Sequence, residues 1–400
     1  MAGLSIRQLL LIVALTFGLG LLSPHLKAWF LNTPLEGEPT APEQDTLPIR
    51  SDAFTLHLLH AATVTYPEGN ITLAPNSLAV NLLQMVPLAA PEVEKALTDL
   101  PLPDSSQESA AQTNEAACLF ADPAANLNRE LANEFTQDAP FSQDITLAFR
   151  RINIPLKLLL GDQIGTPANS TSVNNHTNLL AFNGVNITAQ WSAPVSPEHT
   201  TPAPFFNANG SMPQVYIMKL HARYYAEDPM GNWQAAAIRL ARDPEAPPSV
   251  PDCYLILIHP IGATSARPMA AALTPELFST IRTALRESTR TCTTALPRLS
   301  FTASPQLITP LLKSLQIDPL FTSATPFSKL TSKAPWPFTT AYQYCRIILH
   351  ESPADTLSRR SAPQPDPESE TFRCDRPFLW FLMPLSSPVA PYAAGVVENL

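Results

Sequence analysis

Few groups in this chain are spaced to do chemistry on their own. Arg359-Arg360-Ser361 is a dibasic step, the kind of peptide a trypsin-like protease cleaves; its plainer reading is a pair of solubilising loop charges. His57 and His60 stand three residues apart with no carboxylate or cysteine beside them, so they read as surface or hydrogen-bonded histidines rather than metal ligands. No HExxH, CxxC, GxSxG or SxxK pattern occurs, which leaves a hydrolase or redox enzyme without a nucleophile in context. The only Gly-x-Gly, Gly18 to Gly20, sits in an apolar amino-terminal run. Five scattered cysteines (Cys118, Cys253, Cys292, Cys345, Cys374) form no close pair and read mostly as buried thiols, although an exported chain permits disulfides. Asn70, Asn169, Asn175, Asn186 and Asn209 satisfy N-x-S/T. The expectation is a protein that is not an enzyme and holds no metal or cofactor.

The elements that must position these groups belong to a large fold. The chain has 400 residues, 45% of them apolar, enough to bury a substantial core. It carries 25 basic and 34 acidic residues for a net charge of −9, with no basic run, so nucleic acid is not an expected partner. Prolines number 43 and glycines only 12, the reverse of ordinary usage, which excludes glycine-rich phosphate loops, propeller repeats and collagen.

Residues 9–22, LLLIVALTFGLGLL behind Arg7, are short for a spanning helix and have the length of a signal-peptide core. A cleaved signal ending near Ala28, an uncleaved anchor and a buried core helix remain open; the first two take the body out of the cytosol. Pro34 to Pro48 carries Glu36, Glu38, Glu43 and Asp45 with no base and reads as a solvated spacer. The domain reading is therefore 1–28 signal or anchor, 29–49 acidic proline-rich spacer, and 50–400 folded body.

In the body, Ser51 can cap a first helix, a strand at 71–73 leads into a helix at 77–85, and 101–113 reads as loop. Strand-like runs follow at 117–120, 179–182, 215–218, 253–258, 346–349 and 378–383. Helical stretches fall near 125–135, 268–286 and 305–315, with loops at 163–177 and 243–252. Strands and helices are interspersed without a steady βαβ period, so the fold class is α+β with antiparallel or mixed sheets.

From about residue 50 onward the order of landmarks resembles the serpin family. NITLAPNSL (70–78) is similar to the family's N-x-x-x-S-P-x-S-I, with Asn70, Pro75 and Ser77 matching and Ala74 replacing the first serine. LAFNGVNITAQW (180–191) resembles the strand L-V-N-A-x-x-F-x-G-x-W and places Asn183 and Trp191 on motif positions; Thr200 and Phe205 follow at the T-x-x-x-x-F spacing. LPRLSF, LITPLLKSLQIDPLF and ATPFSKL (296–330) resemble P-K-F…L-x-x-L-G-I-x-x-x-F…A-D-F-S. FRCDRPFLWFL (372–382) and Gly395-Val396 are similar to the closing motifs.

This resemblance implies a serpin fold: three β-sheets, about eight or nine helices and a long exposed reactive loop. In inhibitory relatives a serine protease cleaves the loop and is trapped as an acyl-enzyme while the loop inserts as a new strand of the large sheet. By the resemblance Glu351 opens the loop hinge, Gln343 stands where a shutter histidine is expected, and the nominal cleavage residue is Asp366 or Pro367.

Insertion sets a period-two test on the loop, because alternate residues must face the buried side of the sheet and be small. Counting from Glu351, Ala354, Thr356 and Ser358 pass, whereas Arg360 and Asp366 bring charge under a sheet. Pro353, Pro363, Pro365 and Pro367 each remove a donor that a central strand requires. Cleavage after Arg360 would free only ten residues from Glu351, ~33 Å of strand, against ~56 Å for the usual seventeen. The expectation is an exported serpin-family protein with weak or lost trapping and a binding or scaffold role; the alternative is a working suicide inhibitor cut within 351–371. An extracellular serine protease is the possible partner, and a membrane only through the amino-terminal segment. Residues 101–116, where some serpins carry a basic polysaccharide site, contain no Lys or Arg, so no heparin-like cofactor is expected.

Overall fold

The structure is a computed structural model, and it describes residues 47–103, 113–193, 195, 197–222, 224–298, 300–302, 305–350, 370–385 and 390–400. The body opens with α1 (Leu47–Thr65), β1 (Ile71–Leu73), α2 (Pro75–Met85) and α3 (Pro91–Thr98). Proline begins both α2 and α3, where no donor is needed and its fixed φ already suits the helix. Next come β2 (Thr113–Ala121), α4 (Arg129–Phe135), β3 (Gln137–Asp138) and α5 (Ile145–Leu160). Asn128 and Asp144 cap α4 and α5 by accepting from Glu130 N and Leu147 N.

A run of strands follows: β4 (Leu179–Gln190), β5 (Thr201–Pro204), β6 (Gln214–Ala222), β7 (Tyr224–Glu227), β8 (Trp233–Arg239) and β9 (Cys253–Pro260). Then come α6 (Arg267–Ala272), α7 (Pro275–Glu287), β10 (Cys292–Pro297), β11 (Ser300–Thr302), β12 (Gln306–Leu307), α8 (Thr309–Lys313) and α9 (Pro319–Thr322). The chain closes with β13 (Thr340–His350), β14 (Glu370–Arg373), β15 (Phe378–Pro384) and β16 (Ala393–Val397).

These strands make three sheets. The large one runs β11-β13-β4-β2-β3, with β12 also on β13; the second runs β1-β16-β15-β9-β8-β7, and the third β14-β10-β6-β5. The second is antiparallel throughout, whereas the large and third sheets are mixed. Three buried clusters hold the layers together. One joins α1, α2, α3 and α7 to the second sheet through Phe54, Leu82, Phe278 and Phe381. Another fills the space between sheets with Trp191, Phe205, Leu257, Phe372 and Trp380. The third seats α5 on the large sheet through Ile152, Leu156, Phe120, Phe182 and Tyr344.

Several expectations are corrected. Ser51 does not cap the first helix, which begins at Leu47. The stretch 268–286 is two helices, because Thr274 accepts from Leu277 N and starts a new one. The stretch 305–315 shrinks to α8 preceded by β12, and 125–135 becomes a 3₁₀ turn followed by α4. The pattern also passed over α3, α5, β8 and β10. All five cysteines are buried thiols, where the sequence reading expected mostly buried thiols.

Candidate functional site

Two strands far apart in sequence, β4 and β13, lie side by side at the centre of the large sheet and run parallel. They pair without interruption from Thr340↔Leu180 to His350↔Gln190. The chain leaves this sheet at His350 and re-enters described structure at Glu370, in the third sheet; residues 351 to 369 between them number nineteen. A segment that turned back beside β13 would run antiparallel to it, and antiparallel to β4 as well. The seam would then exchange one slanted parallel ladder for two straight antiparallel ones. With β13 bonded directly to β4, the seam is closed.

What seals it is a knot of polar groups around the first residues of α2. Ala74, the residue before this helix, donates its backbone N–H to Gln343 Oε1 at 3.0 Å. Its carbonyl accepts from Ser77 Oγ at 3.2 Å and from Asn183 Nδ2 at 3.4 Å, and Asn183 Nδ2 also reaches Ser77 Oγ at 3.1 Å. Asn183 and Gln343 are register partners across the seam, so the residue that precedes α2 is gripped from both strands at once. All these groups are buried, where an unpaired donor or acceptor costs about 1–3 kcal/mol. Gln343 uses only the oxygen end of its amide: Nε2 has no partner among the described residues.

The opposite face of the seam carries a second tie. Arg346 and Asn186 are also register partners, and Arg346 Nη1 donates to Asn186 Oδ1 at 3.1 Å. Asn186 Nδ2 donates in turn to Leu160 O at 2.6 Å, linking the seam to the last turn of α5. Between the two ties the strands approach closely at Gly184, where a Cβ would stand 2.7 Å from Tyr344 O.

Beside this seam, β2 contributes a half-buried carboxyl that the sequence reading missed. Glu115 accepts from Asn76 Nδ2 at 3.0 Å, and burial pushes its pKa up to about 7 against the opposing effect of that hydrogen bond. Its only sequence signal is an acid immediately before the apolar run of β2. At the carboxyl end of β4 a cavity of about 590 Å³ is lined by Thr188, Gln190, Arg242, Asp243 and Glu245 among others. Arg242 is tied down there by the carbonyls of Val250 and Pro247 and by Asp252.

The sequence-derived residues thus divide. Pro75, Ser77, Asn183 and Gln343 meet at the seam. Asn70 lies elsewhere, accepting from Glu398 N and Asn399 N at 2.7 and 3.0 Å and donating to Asn399 O. Trp191 is buried just beyond the end of β4 and bridges Leu240. His60 Nδ1 lies 3.1 Å from Ala271 O, and no metal-binding cluster occurs among the described residues. Glu351, Pro353, Ala354, Thr356, Ser358, Arg359, Arg360, Asp366 and Pro367 lie outside the described residues, as do 104–112 and everything before Leu47.

The family model described as Serpin (serine protease inhibitor) matches residues 50–389. The chain is a serpin. Among solved structures, uncleaved ovalbumin superposes with a TM-score of 0.74 at 16% identity, covering 88% of this chain and 100% of that one. Maspin gives 0.70 at 16% identity over 89% and 99%, and native protease nexin-1 with heparin gives 0.71 at 17% identity over 89% and 99%. At such identities the likeness carries the fold. No curated protein matches this serpin by sequence. The expected architecture of three sheets and eight or nine helices agrees with the nine α-helices among the described residues.

Proposed function

We propose that this serpin is an exported binding or scaffold protein in which loop insertion, and with it protease trapping, is weak or lost. The observation that supports this reading best is the loop sequence itself. A strand entering the seam would need donors on both edges, and Pro353, Pro363, Pro365 and Pro367 supply none. Arg360 and Asp366, at inward positions, would meet the buried face where Val185, Ile187, Cys345 and Ile347 already pack. The closed seam adds a cost, since opening it exposes the polar knot at Ala74 before any new ladder forms. A protease meeting Arg359-Arg360 would then cleave the protein as a substrate and leave.

The second reading, a suicide inhibitor cut within 351–371, is favoured by the family description and by the dibasic step. Incubation with a panel of trypsin-like and chymotrypsin-like serine proteases separates the two. The proposal expects clean loop cleavage with no complex surviving SDS; a covalent complex at any loop bond supports the inhibitor. Export rests on the apolar run 9–22, and no described helix is long and apolar enough to cross a membrane.

A further inference from the structure

The outward side of α5 has the wrong chemistry for a solvated helix face. Ala148, Ile152, Leu156 and Leu160 are buried against the large sheet, as an amphipathic helix requires. Yet the opposite side carries Leu147, Ile154 and Leu158, exposed by 38%, 60% and 83%. Their spacing of i, i+7 and i+11 makes one crest roughly 16 Å long. Arg150 and Lys157 flank it on one side and Arg151 on the other, at ~100° per residue. The helix contains no Asp or Glu in sixteen residues, in a chain whose net charge is −9. The acids beside α5 stand at its two ends, Asp144, whose side chain caps the first turn, and Asp162 just past Gly161. Loop 165–177, bonded to α5 through Asn153 and Ala168, brings none, and its one titratable side chain is His176. The neighbouring ion pair, Arg129–Asp138, leaves the three bases of α5 out.

We propose that this face docks the body onto an anionic lipid surface. Basic flanks select a negative partner, and the aliphatic crest selects one with an apolar interior just beneath its charge. A protein partner would have to supply about 800 Å² of shaped surface, including a groove for a convex ridge. A bilayer needs neither. Its acyl region yields around three aliphatic side chains, while the guanidinium and ammonium groups stay level with the headgroup phosphates.

The test uses the full chain with an environment-sensitive fluorophore on Leu158→Cys, and on Met230→Cys in the β7–β8 turn as control. The five native cysteines are buried, so labelling is selective. With vesicles of phosphatidylcholine and phosphatidylserine in equal parts, the label at 158 shifts to the blue and the label at 230 does not. Pure phosphatidylcholine leaves both unchanged, and high salt reverses the shift. Arg150→Glu with Arg151→Glu weakens it by roughly tenfold or more. Insertion of residues 9–22 would tether the chain to either vesicle, so the difference between lipids at position 158 is the readout. The proposal is overturned by no shift at 158 on the mixed vesicles, by an equal shift on pure phosphatidylcholine, or by a shift with soluble polyglutamate and none with vesicles.

Discussion

Asn183 and Gln343 face each other across the parallel ladder of β4 and β13, and both bond to Ala74 at the start of α2: Asn183 to its carbonyl, Gln343 to its amide. A helix end is thereby bolted to the seam that a serpin must open in order to trap a protease. Loss of Gln343 leaves the buried Ala74 N–H unpaired, whereas loss of Asn183 takes one donor from a carbonyl that still accepts from Ser77 Oγ and Leu78 N. Gln343→Ala is expected to lower stability by about 1–3 kcal/mol and Asn183→Ala by about 0.5–1.5 kcal/mol. Their effects should be non-additive in a double-mutant cycle read by urea denaturation, because both act through Ala74.

Gly184 tests how tightly the same seam is shut. A methyl group there would press on Tyr344 O at 2.7 Å, so one strand must move away from the other. Gly184→Ala should lower the thermal midpoint of the uncleaved protein and speed amide exchange along residues 340–350. A midpoint equal to wild type would mean that the strands part more easily than their spacing indicates.

The pH dependence of stability should carry the mark of Glu115. Its folded pKa is raised from 4.5 to about 7, so the half-buried carboxyl favours the protonated form. That contribution is complete below about pH 4.5 and is lost as the pH rises through about 7, on the order of 2–3 kcal/mol across the window. Asp52 adds to the trend, pushed up to about 6 by burial while Arg282 pulls the other way. Unfolding curves from pH 4.5 to 8 should fall in stability, and Glu115→Gln should flatten the slope.

Asp52 and Arg282 form a buried pair joining α1 to α7. Arg282 Nη1 reaches both carboxylate oxygens at 2.9 and 2.7 Å, while Nη2 donates to Pro384 O and Leu385 O at 3.4 and 3.2 Å. Asp52→Ala strands a buried guanidinium and is expected to cost about 3–5 kcal/mol. Adding Arg282→Met should recover much of that loss in the same denaturation assay, since a well-packed apolar side chain leaves no charge behind.

Reading the sequence picked out Pro75, Ser77, Asn183 and Gln343 through their resemblance to serpin motifs, and the structure shows what these residues do at the seam. Asn183 stands in the apolar strand stretch LAFNGV, and Pro75 and Ser77 open α2, which also carries Asn76, Asn81 and Gln84. Ala74 showed in the sequence only as a replacement for the motif's first serine, and its role was hidden because it acts through its backbone. Helix α5 escaped notice for a physical reason: its crest of Leu147, Ile154 and Leu158 fills the side that should be polar, which blurs the helical period, and Pro155 interrupts it. Strand β8, WQAAAIR, is buried on both faces and rich in alanine, so no alternation marks it.

The most direct measurement of whether this seam accepts its own loop is the thermal midpoint before and after limited tryptic cleavage at Arg359-Arg360, with a second protease cutting nearer Pro367. Insertion would add a central strand and stabilise the whole sheet. The account predicts a midpoint unchanged to within a few degrees after either cut. A rise of about ten degrees or more, several kcal/mol at ~2–4 °C per kcal/mol, would contradict it.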